Sequence, residues 1–185
     1  MARPTATTLR RDLSTLVVVD LQGRLMPVIA GGDAVVEKAV FLARVAETLG
    51  VPALFTEQNP SGLGTTVTPL KPFVGELFVK RHFSAAREPG FFERLPPKRM
   101  TIVVAGAETH VCVLQTVLGL RARGYGVAVV TDAVGSRYPA DREAGLRRMA
   151  EQGADLVTAE MVAFEWLDSC NHPDFKAVIA LVKGL

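Results

Sequence analysis

Three side chains of the 185-residue sequence have types and positions that suit chemistry on a carbonyl group: Asp20, Lys80 and Cys112. Asp20 and Lys80 each end or directly follow a short apolar run, and Cys112 lies about one helical turn beyond a third run. A cysteine thiolate is a nucleophile, a carboxylate can take up and return the thiol proton, and an ammonium group stabilises the thiolate. The three together predict a nucleophilic site.

The surroundings of Cys112 predict an activated thiol. If Thr109 caps a helix, Cys112 lies in its first turn, where unpaired backbone N–H groups favour a negative charge and can bind an oxyanion. A nearby Lys80 would also lower the thiol pKa below its usual ~8.5. The alternative is that Cys112 is a small buried apolar residue. His110 is a rival base, but residues two apart on a helix face different directions.

Asp20 and Lys80 also have ordinary interpretations. A carboxylate at the end of a strand often caps the next helix, and most lysines are simply solvated at the surface. The occurrence of an aspartate, a lysine and a cysteine at three strand ends is what favours the catalytic interpretation.

The elements that must position these residues alternate between strands and helices. Apolar, valine-rich runs typical of strands buried on both faces cover 15–19, 53–56, 77–79, 102–105, 127–131 and 156–158. Helical patterns cover 33–49, 109–123, 141–152 and 173–182. The alternation predicts a three-layer α/β/α, Rossmann-like domain with a parallel sheet and right-handed crossovers. In such sheets the site lies beyond the carboxyl ends of the strands.

Composition limits the class of protein. Hydrophobic residues make up 49%, charged residues 22%, and the net charge is +2, so we expect one folded domain over residues 1–185 and no nucleic-acid partner. Residues 1–13 are interpreted as an N-terminal arm, with an organellar address as the alternative for this basic, threonine-rich start. Absence of a signal or a membrane span predicts a cytoplasmic location and no membrane partner.

Several cofactor motifs are missing from the sequence. There is no dinucleotide fingerprint, no phosphate-binding Gly-x-x-x-x-Gly-Lys loop and no Gly-x-Ser-x-Gly elbow. The two cysteines, Cys112 and Cys170, cannot form a disulfide framework or a four-cysteine zinc site. We therefore expect no cofactor and no metal, although a mixed site of Cys112, His110 and a carboxylate stays an alternative. The proline- and glycine-rich segment 60–72 is predicted to be a functional loop.

Five segments carry a family resemblance. The resemblance extends over nearly the whole chain, roughly residues 14–183. The segments read VVVDLQ (17–22), VPALFTEQ (51–58), VKRHFSA (79–85), AGAETHVCV (105–113) and TDAVGSR (131–137). The sequence resembles the isochorismatase-like cysteine hydrolases, most closely the small single-domain members of unassigned substrate. The resemblance implies a sheet of about six strands in the order 3-2-1-4-5-6, a small-molecule substrate and a homo-oligomer.

The resemblance also assigns roles to residues. It implies that Cys112 attacks an amide-type carbonyl, that Asp20 is the general base and that Lys80 stabilises the thiolate. It further implies a cis peptide at Ala107–Glu108, which would direct the Glu108 N–H, with that of Cys112, toward the oxyanion.

Departures from the family pattern restrict the substrate. Family nicotinamidases bind a metal through aspartate and histidine after the second strand, and residues 57–62 contain no histidine. Some isochorismatases lack the cysteine, so Cys112 favours amide, ureide or carbamoyl chemistry. The alternatives are a non-catalytic oligomeric binding protein and a redox-responsive thiol protein. Candidate pocket residues, each of which could equally be ordinary packing or loop residues, are Gln22, Leu25, Gln58, Phe83 and Phe164.

Overall fold

Six parallel strands form one sheet in the order β3-β2-β1-β4-β5-β6. The computed structural model describes residues 8–185. The strands are β1 Ser14–Val19, β2 Ala53–Gln58, β3 Glu76–Lys80, β4 Thr101–Ala107, β5 Gly126–Gly135 and β6 Asp155–Val157. The predicted fold class and strand order are therefore confirmed. Every residue of β1 is buried, as expected for a central strand covered on both faces.

Helices cover the two faces of the sheet. They are α1 Gly32–Leu49, α2 Pro60–Leu63, α3 Leu114–Ala122, α4 Pro139–Glu151, α5 Ala159–Leu167 and α6 Phe175–Val182. On one face α1 packs against α5 and α6, and on the other α3 packs against α4. The predicted loop 60–72 contains α2 and most of a 3₁₀ segment, Thr68–Phe73.

Helix α5 was absent from the sequence prediction. It starts at Thr158, whose side chain accepts a hydrogen bond from the Met161 N–H at 3.3 Å, the usual way in which threonine caps a helix. The apolar sequence after β6 lacks a proline or glycine that would separate strand from helix, so periodicity alone could not divide it.

Two apolar clusters lie on opposite faces of the sheet. The first joins the sheet to α1, α5 and α6 and contains the fully buried Trp166. The second joins it to α3 and α4 and contains Cys112. Cys112 thus belongs to the α3 face of the sheet. It lies beyond the carboxyl end of β4, a central strand.

The predicted N-terminal arm is only partly within the described residues. Residues 1–7 lie outside them. From there the chain is anchored, because Leu9 is buried, its N–H donates to the Glu165 carboxylate at 2.6 Å, and Arg11 donates to the Trp166 carbonyl. Within residues 8–185, no helix is long and apolar enough to cross a membrane.

The strand order reverses between β1 and β4, and this is where a crevice opens in doubly wound sheets. Val19 at the end of β1 pairs with Gly106 on β4. A Cβ atom on Gly106 would lie 2.2 Å from the Val19 carbonyl oxygen, and its φ is +145°, so only glycine allows the two strands to approach so closely. The residues that follow β1 and β4 are thereby brought together.

Candidate active site

Asp20 and Lys80 form a fully buried ion pair. The Lys80 Nζ lies 2.7 Å from the Asp20 Oδ2, and both side chains have 0% exposure. Lys80 ends β3, two strands away from β1, so its long side chain reaches across β2 to meet Asp20. Two strand ends far apart in sequence therefore converge at one edge of the sheet, and the ion pair that they form there was not predicted.

The remaining donors of Lys80 bind the loop that follows β3. Its Nζ donates to the carbonyl oxygens of His82 at 3.3 Å and Phe83 at 2.9 Å. An ammonium group has three donors, and here all three are used by Asp20 and these two carbonyls. Lys80 consequently holds Asp20 and the loop in place and has no N–H left over for a substrate.

Asp20 is held in an unusual backbone conformation. Its φ is +52°, in the left-handed region that side chains other than glycine, asparagine and aspartate rarely adopt. Its second carboxylate oxygen, Oδ1, accepts a hydrogen bond from the Thr56 hydroxyl at 2.6 Å. Thr56 was not predicted as a site residue. The only signal in the sequence was a hydroxyl residue within the apolar run of β2.

Cys112 lies in a wide helical turn, Thr109–Val113, that leads into α3. The Glu108 carbonyl accepts hydrogen bonds from the N–H groups of Val111 and Val113, and the second of these is the i to i+5 bond of a π-turn. The expectation that Thr109 caps this turn is wrong, because Glu108 occupies the capping position with extended backbone. The Thr109 hydroxyl is buried and has no hydrogen-bond partner within the part of the chain that the structure describes.

The resting site holds a protonated thiol. Burial and, to a smaller extent, the negative charge of Asp20 raise the pKa of Cys112 to about 12, against the opposing effect of Lys80. The predicted lowering of the Cys112 pKa is therefore wrong, since desolvation disfavours a thiolate that is only 8% exposed.

The cis peptide implied at Ala107–Glu108 is absent, because no peptide bond within residues 8–185 is cis. Strand β4 pairs with β5 up to Ala107, which lies opposite Gly135, after a shift of register between Val104 and Gly106. The chain enters the following turn through a trans bond. The oxyanion role of Glu108 thus stays a prediction without the geometry that suggested it.

The Glu108 side chain ties this turn to the end of β5. Its carboxylate accepts from Arg137 Nε at 2.7 Å and lies 3.4 Å from His110 Nδ1. The same His110 nitrogen is 3.0 Å from the Ser136 hydroxyl, and its Nε2 faces Asp141 at 3.7 Å. Both ring nitrogens of His110 thus have other partners.

The loop after β3, whose carbonyl oxygens accept from Lys80, packs against the helix that follows Cys112. The Ser84 hydroxyl donates to the Gln115 carbonyl, and the Ala85 N–H donates to the Thr116 hydroxyl, both at 3.0 Å. A Cβ atom on Gly119 would lie 2.4 Å from the Ala86 side chain, so α3 and this loop are in direct contact. The loop that binds Lys80 and the helix that follows Cys112 are therefore packed against each other.

Three of the candidate pocket residues have mainly structural contacts. Gln22 is fully buried and exchanges hydrogen bonds with the backbone of Gln58 and Gly64. The Gln58 side chain is half-buried and donates to the Arg81 carbonyl at 3.3 Å. Leu25 packs against the apolar cluster on the α1 face. Gln22 in particular has its amide fully used in fastening loop 58–64.

The two candidate phenylalanines lie in different parts of the fold. The Phe83 ring is 53% exposed, next to the carbonyl that Lys80 holds. The Phe164 ring is 43% exposed on α5, whose buried residues pack on the face opposite to Cys112. Within one chain, the structure places Phe83 beside the site and does not bring Phe164 to it.

The loop after β2 is organised by hydrogen bonds within the protein. Glu57 is buried, and one of its carboxylate oxygens accepts from the N–H of Thr66 at 2.6 Å and from its hydroxyl at 2.8 Å. In the described part of the chain, no group of three or more His, Cys, Asp or Glu side chains is placed to hold a metal ion.

A doubly wound parallel sheet with a buried aspartate, lysine and cysteine at its switch point places the chain among the α/β proteins whose site lies at the carboxyl ends of the strands. Residues 14–161 match the Isochorismatase domain family. The chain belongs to this family of isochorismatase-like hydrolases.

Relatives of this chain bear several names. Isochorismatase domain-containing protein 2 of Bos taurus is 36% identical, over 98% of this chain and 89% of its own length. The structure of the MAR1 ribonuclease from Caenorhabditis elegans has a TM-score of 0.91 and 36% identity, and the match covers 96% of this chain and 93% of that one. The YcaC gene product of Escherichia coli, an octameric hydrolase of unknown specificity, has a TM-score of 0.85 at 23% identity, with 98% of both chains covered.

Proposed function

We propose that the protein hydrolyses a C–N bond of a small amide, ureide or carbamoyl compound, with Cys112 as the nucleophile. The observation that carries the proposal is the Asp20 carboxylate, which is buried against Lys80, follows a strand that pairs with the one leading to Cys112, and acts on the buried Cys112 thiol through its negative charge. A buried carboxylate beside a protonated thiol is the arrangement that general-base catalysis requires.

The reaction proceeds through a thioester. As the substrate carbonyl approaches, the Cys112 proton moves to Asp20, and Sγ forms a bond to the carbonyl carbon while the carbonyl oxygen becomes an oxyanion. Collapse of this intermediate breaks the C–N bond, and Asp20 returns the proton to the leaving nitrogen. Water then gives a proton to Asp20 and attacks the thioester; the C–S bond breaks, the acid is released and Cys112 regains its proton. Backbone N–H groups of the Cys112 turn are the proposed oxyanion donors.

The charges of the site favour a reacting group without formal charge. Lys80 and Asp20 form a neutral pair, and the three donors of Lys80 are used within the protein. A substrate carboxylate placed there would have no partner in this pair and would have to be desolvated beside Asp20, which is unfavourable. An amide-type carbonyl carries no such penalty.

A substrate screen with cysteine variants tests the proposal. Amides, ureides and carbamoyl compounds are incubated with the wild type, Cys112→Ala and Cys170→Ala, and intact-mass spectrometry monitors an acyl adduct. Cys170 is the exposed second cysteine and serves as the matched control. We expect turnover and an adduct in the wild type and in Cys170→Ala, and neither in Cys112→Ala. Turnover that persists in Cys112→Ala would overturn the mechanism.

RNA belongs in the same screen because a relative with 36% identity is named as a ribonuclease. We expect no cleavage, since a net charge of +2 offers little attraction for a phosphate backbone. RNA cleavage that Cys112→Ala abolishes would replace the amide proposal with a phosphodiester one.

The two other functional alternatives are also distinguishable. A redox sensor needs an accessible thiolate, and the raised pKa and burial of Cys112 oppose that function. A non-catalytic binding protein would keep its biological phenotype in Cys112→Ser, whereas we expect that variant to lose it.

We further propose that the protein is a homo-oligomer with a cytoplasmic location. Light scattering on the purified protein is the direct measurement of the oligomeric state.

A further inference from the structure

We propose that Thr56 is a positioning residue that fixes the Asp20 carboxylate for proton exchange with Cys112. This inference rests on the proposed function of the site. Thr56 is 1% exposed, and its hydroxyl donates to Asp20 Oδ1 at 2.6 Å. It lies on β2 directly opposite Val19, the residue before Asp20.

The hydroxyl completes the restraint on the carboxylate. Lys80 binds Oδ2 and Thr56 binds Oδ1, so rotation of the carboxylate plane would break both hydrogen bonds. Each carboxylate oxygen has two lone pairs, and the site therefore keeps acceptor capacity for the Cys112 proton. Thr56 does not touch the reacting atoms in this arrangement and acts through Asp20.

A backbone contact supports the same orientation. The Asp20 N–H donates to the Thr56 carbonyl at 3.1 Å, so Thr56 holds both ends of a residue whose φ is +52°. The backbone contact survives any side-chain substitution. A change at position 56 that removes only the hydroxyl thus isolates its effect on the carboxylate.

The hydroxyl also affects how Asp20 binds the Cys112 proton. Without it, a lone pair of Oδ1 is left free to accept from the thiol, which is expected to slow alkylation of Cys112, because the thiolate is the reactive form. A residue with only a structural role would change stability without changing the alkylation rate.

The test compares Thr56→Val, which keeps the branched shape without the hydroxyl, with Thr56→Ser, which keeps the hydroxyl. We expect Thr56→Val to lower kcat/KM about 10- to 100-fold with little change in KM, and to slow iodoacetamide alkylation of Cys112 about fivefold at pH 9. Thr56→Ser should restore both quantities to within about threefold of the wild type. If Thr56→Val does not fold, Thr56→Ala is measured in the same way.

Thr66→Val is the matched control. Thr66 is another buried threonine whose hydroxyl binds a buried carboxylate, that of Glu57 at 2.8 Å, but outside the site. We expect it to reduce the melting temperature while kcat/KM and the alkylation rate of Cys112 stay unchanged. Unchanged values of both in Thr56→Val, or equal changes in Thr66→Val, would overturn the proposal for Thr56.

Alkylation needs no substrate, so the two proposals can fail separately. A slower alkylation in Thr56→Val supports its positioning role even if no amide is hydrolysed, in which case only the proposed reaction fails. Amide turnover that depends on Cys112 but not on the Thr56 hydroxyl would reject the positioning role alone.

Discussion

Replacing Lys80 with methionine tests how the buried ion pair contributes to the fold. Both side chains of the pair have 0% exposure and approach to 2.7 Å. Methionine retains most of the apolar length of lysine but leaves the Asp20 carboxylate buried without its counter-charge. Breaking a buried pair on one side costs about 3–5 kcal/mol of unfolding free energy, which for a domain of this size corresponds to a fall of about 6–20 °C in melting temperature.

The measurement is chemical and thermal unfolding at pH 7, followed by the fluorescence of Trp166. This is the single tryptophan of the sequence, and it is fully buried. The double variant Asp20→Asn/Lys80→Met removes both charges, and we expect it to recover at least half of the loss, because replacing both members of a buried pair is often close to neutral. Lys38→Met is the matched control. Lys38 is 3.9 Å from Asp132 with both side chains partly exposed, and we expect a change below about 1 kcal/mol.

Two results would refute the reasoning. The first is a Lys80→Met variant within about 1 kcal/mol of the wild type, since a carboxylate without its buried counter-charge should be costly. The second is a double variant whose loss equals the sum of the losses measured for Lys80→Met alone and for Asp20→Asn alone, which would mean that Asp20 and Lys80 do not interact energetically.

Three further predictions concern the thiol, the loop after β3 and the pocket. Because the pKa of Cys112 is raised to about 12, its alkylation rate in the wild type should still increase above pH 9, as followed by peptide mass spectrometry; a plateau below pH 8 would contradict this. Backbone and side-chain hydrogen bonds from His82 lower the pKa of Glu88 from 4.5 to about 2. Because this pKa is lowered by folding, the stabilisation that the ionised Glu88 carboxylate provides is complete above the unfolded-state pKa and is lost as the pH falls toward 2. Glu88→Gln should therefore destabilise the protein by about 1–2 kcal/mol at pH 7, and by progressively less when unfolding is measured at lower pH. Phe83→Ala should raise KM several-fold at nearly constant kcat, while Phe164→Ala should leave both unchanged; the reverse pattern would place Phe164 in the pocket.

Part of the candidate site could be predicted from local sequence. Because a strand buried on both faces must be apolar throughout, the valine-rich runs identified five strands to within two residues at each end. For β5 they located the beginning of the strand but not its full length. Asp20, Lys80 and Cys112 were recognised because parallel strands end at one edge of the sheet. The strand order came from the family resemblance, and helix α5 was missed because the sequence has no break between it and β6.

The pKa of Cys112 and the partners of the site's side chains depend on groups that are distant in sequence, so only the tertiary structure decides them. The sequence by itself determined which reactive residue types stand at the sheet edge. It could not determine the direction in which the Cys112 pKa moves, because desolvation and the charges of Asp20 and Lys80 compete there, and their balance depends on burial and distance. It also could not show that the Thr56 hydroxyl reaches Asp20, that Lys80 uses all of its donors within the protein, or that Phe164 lies on the other face. Side-chain partners are set by the packing of strands and loops, whereas element type and position follow from local pattern.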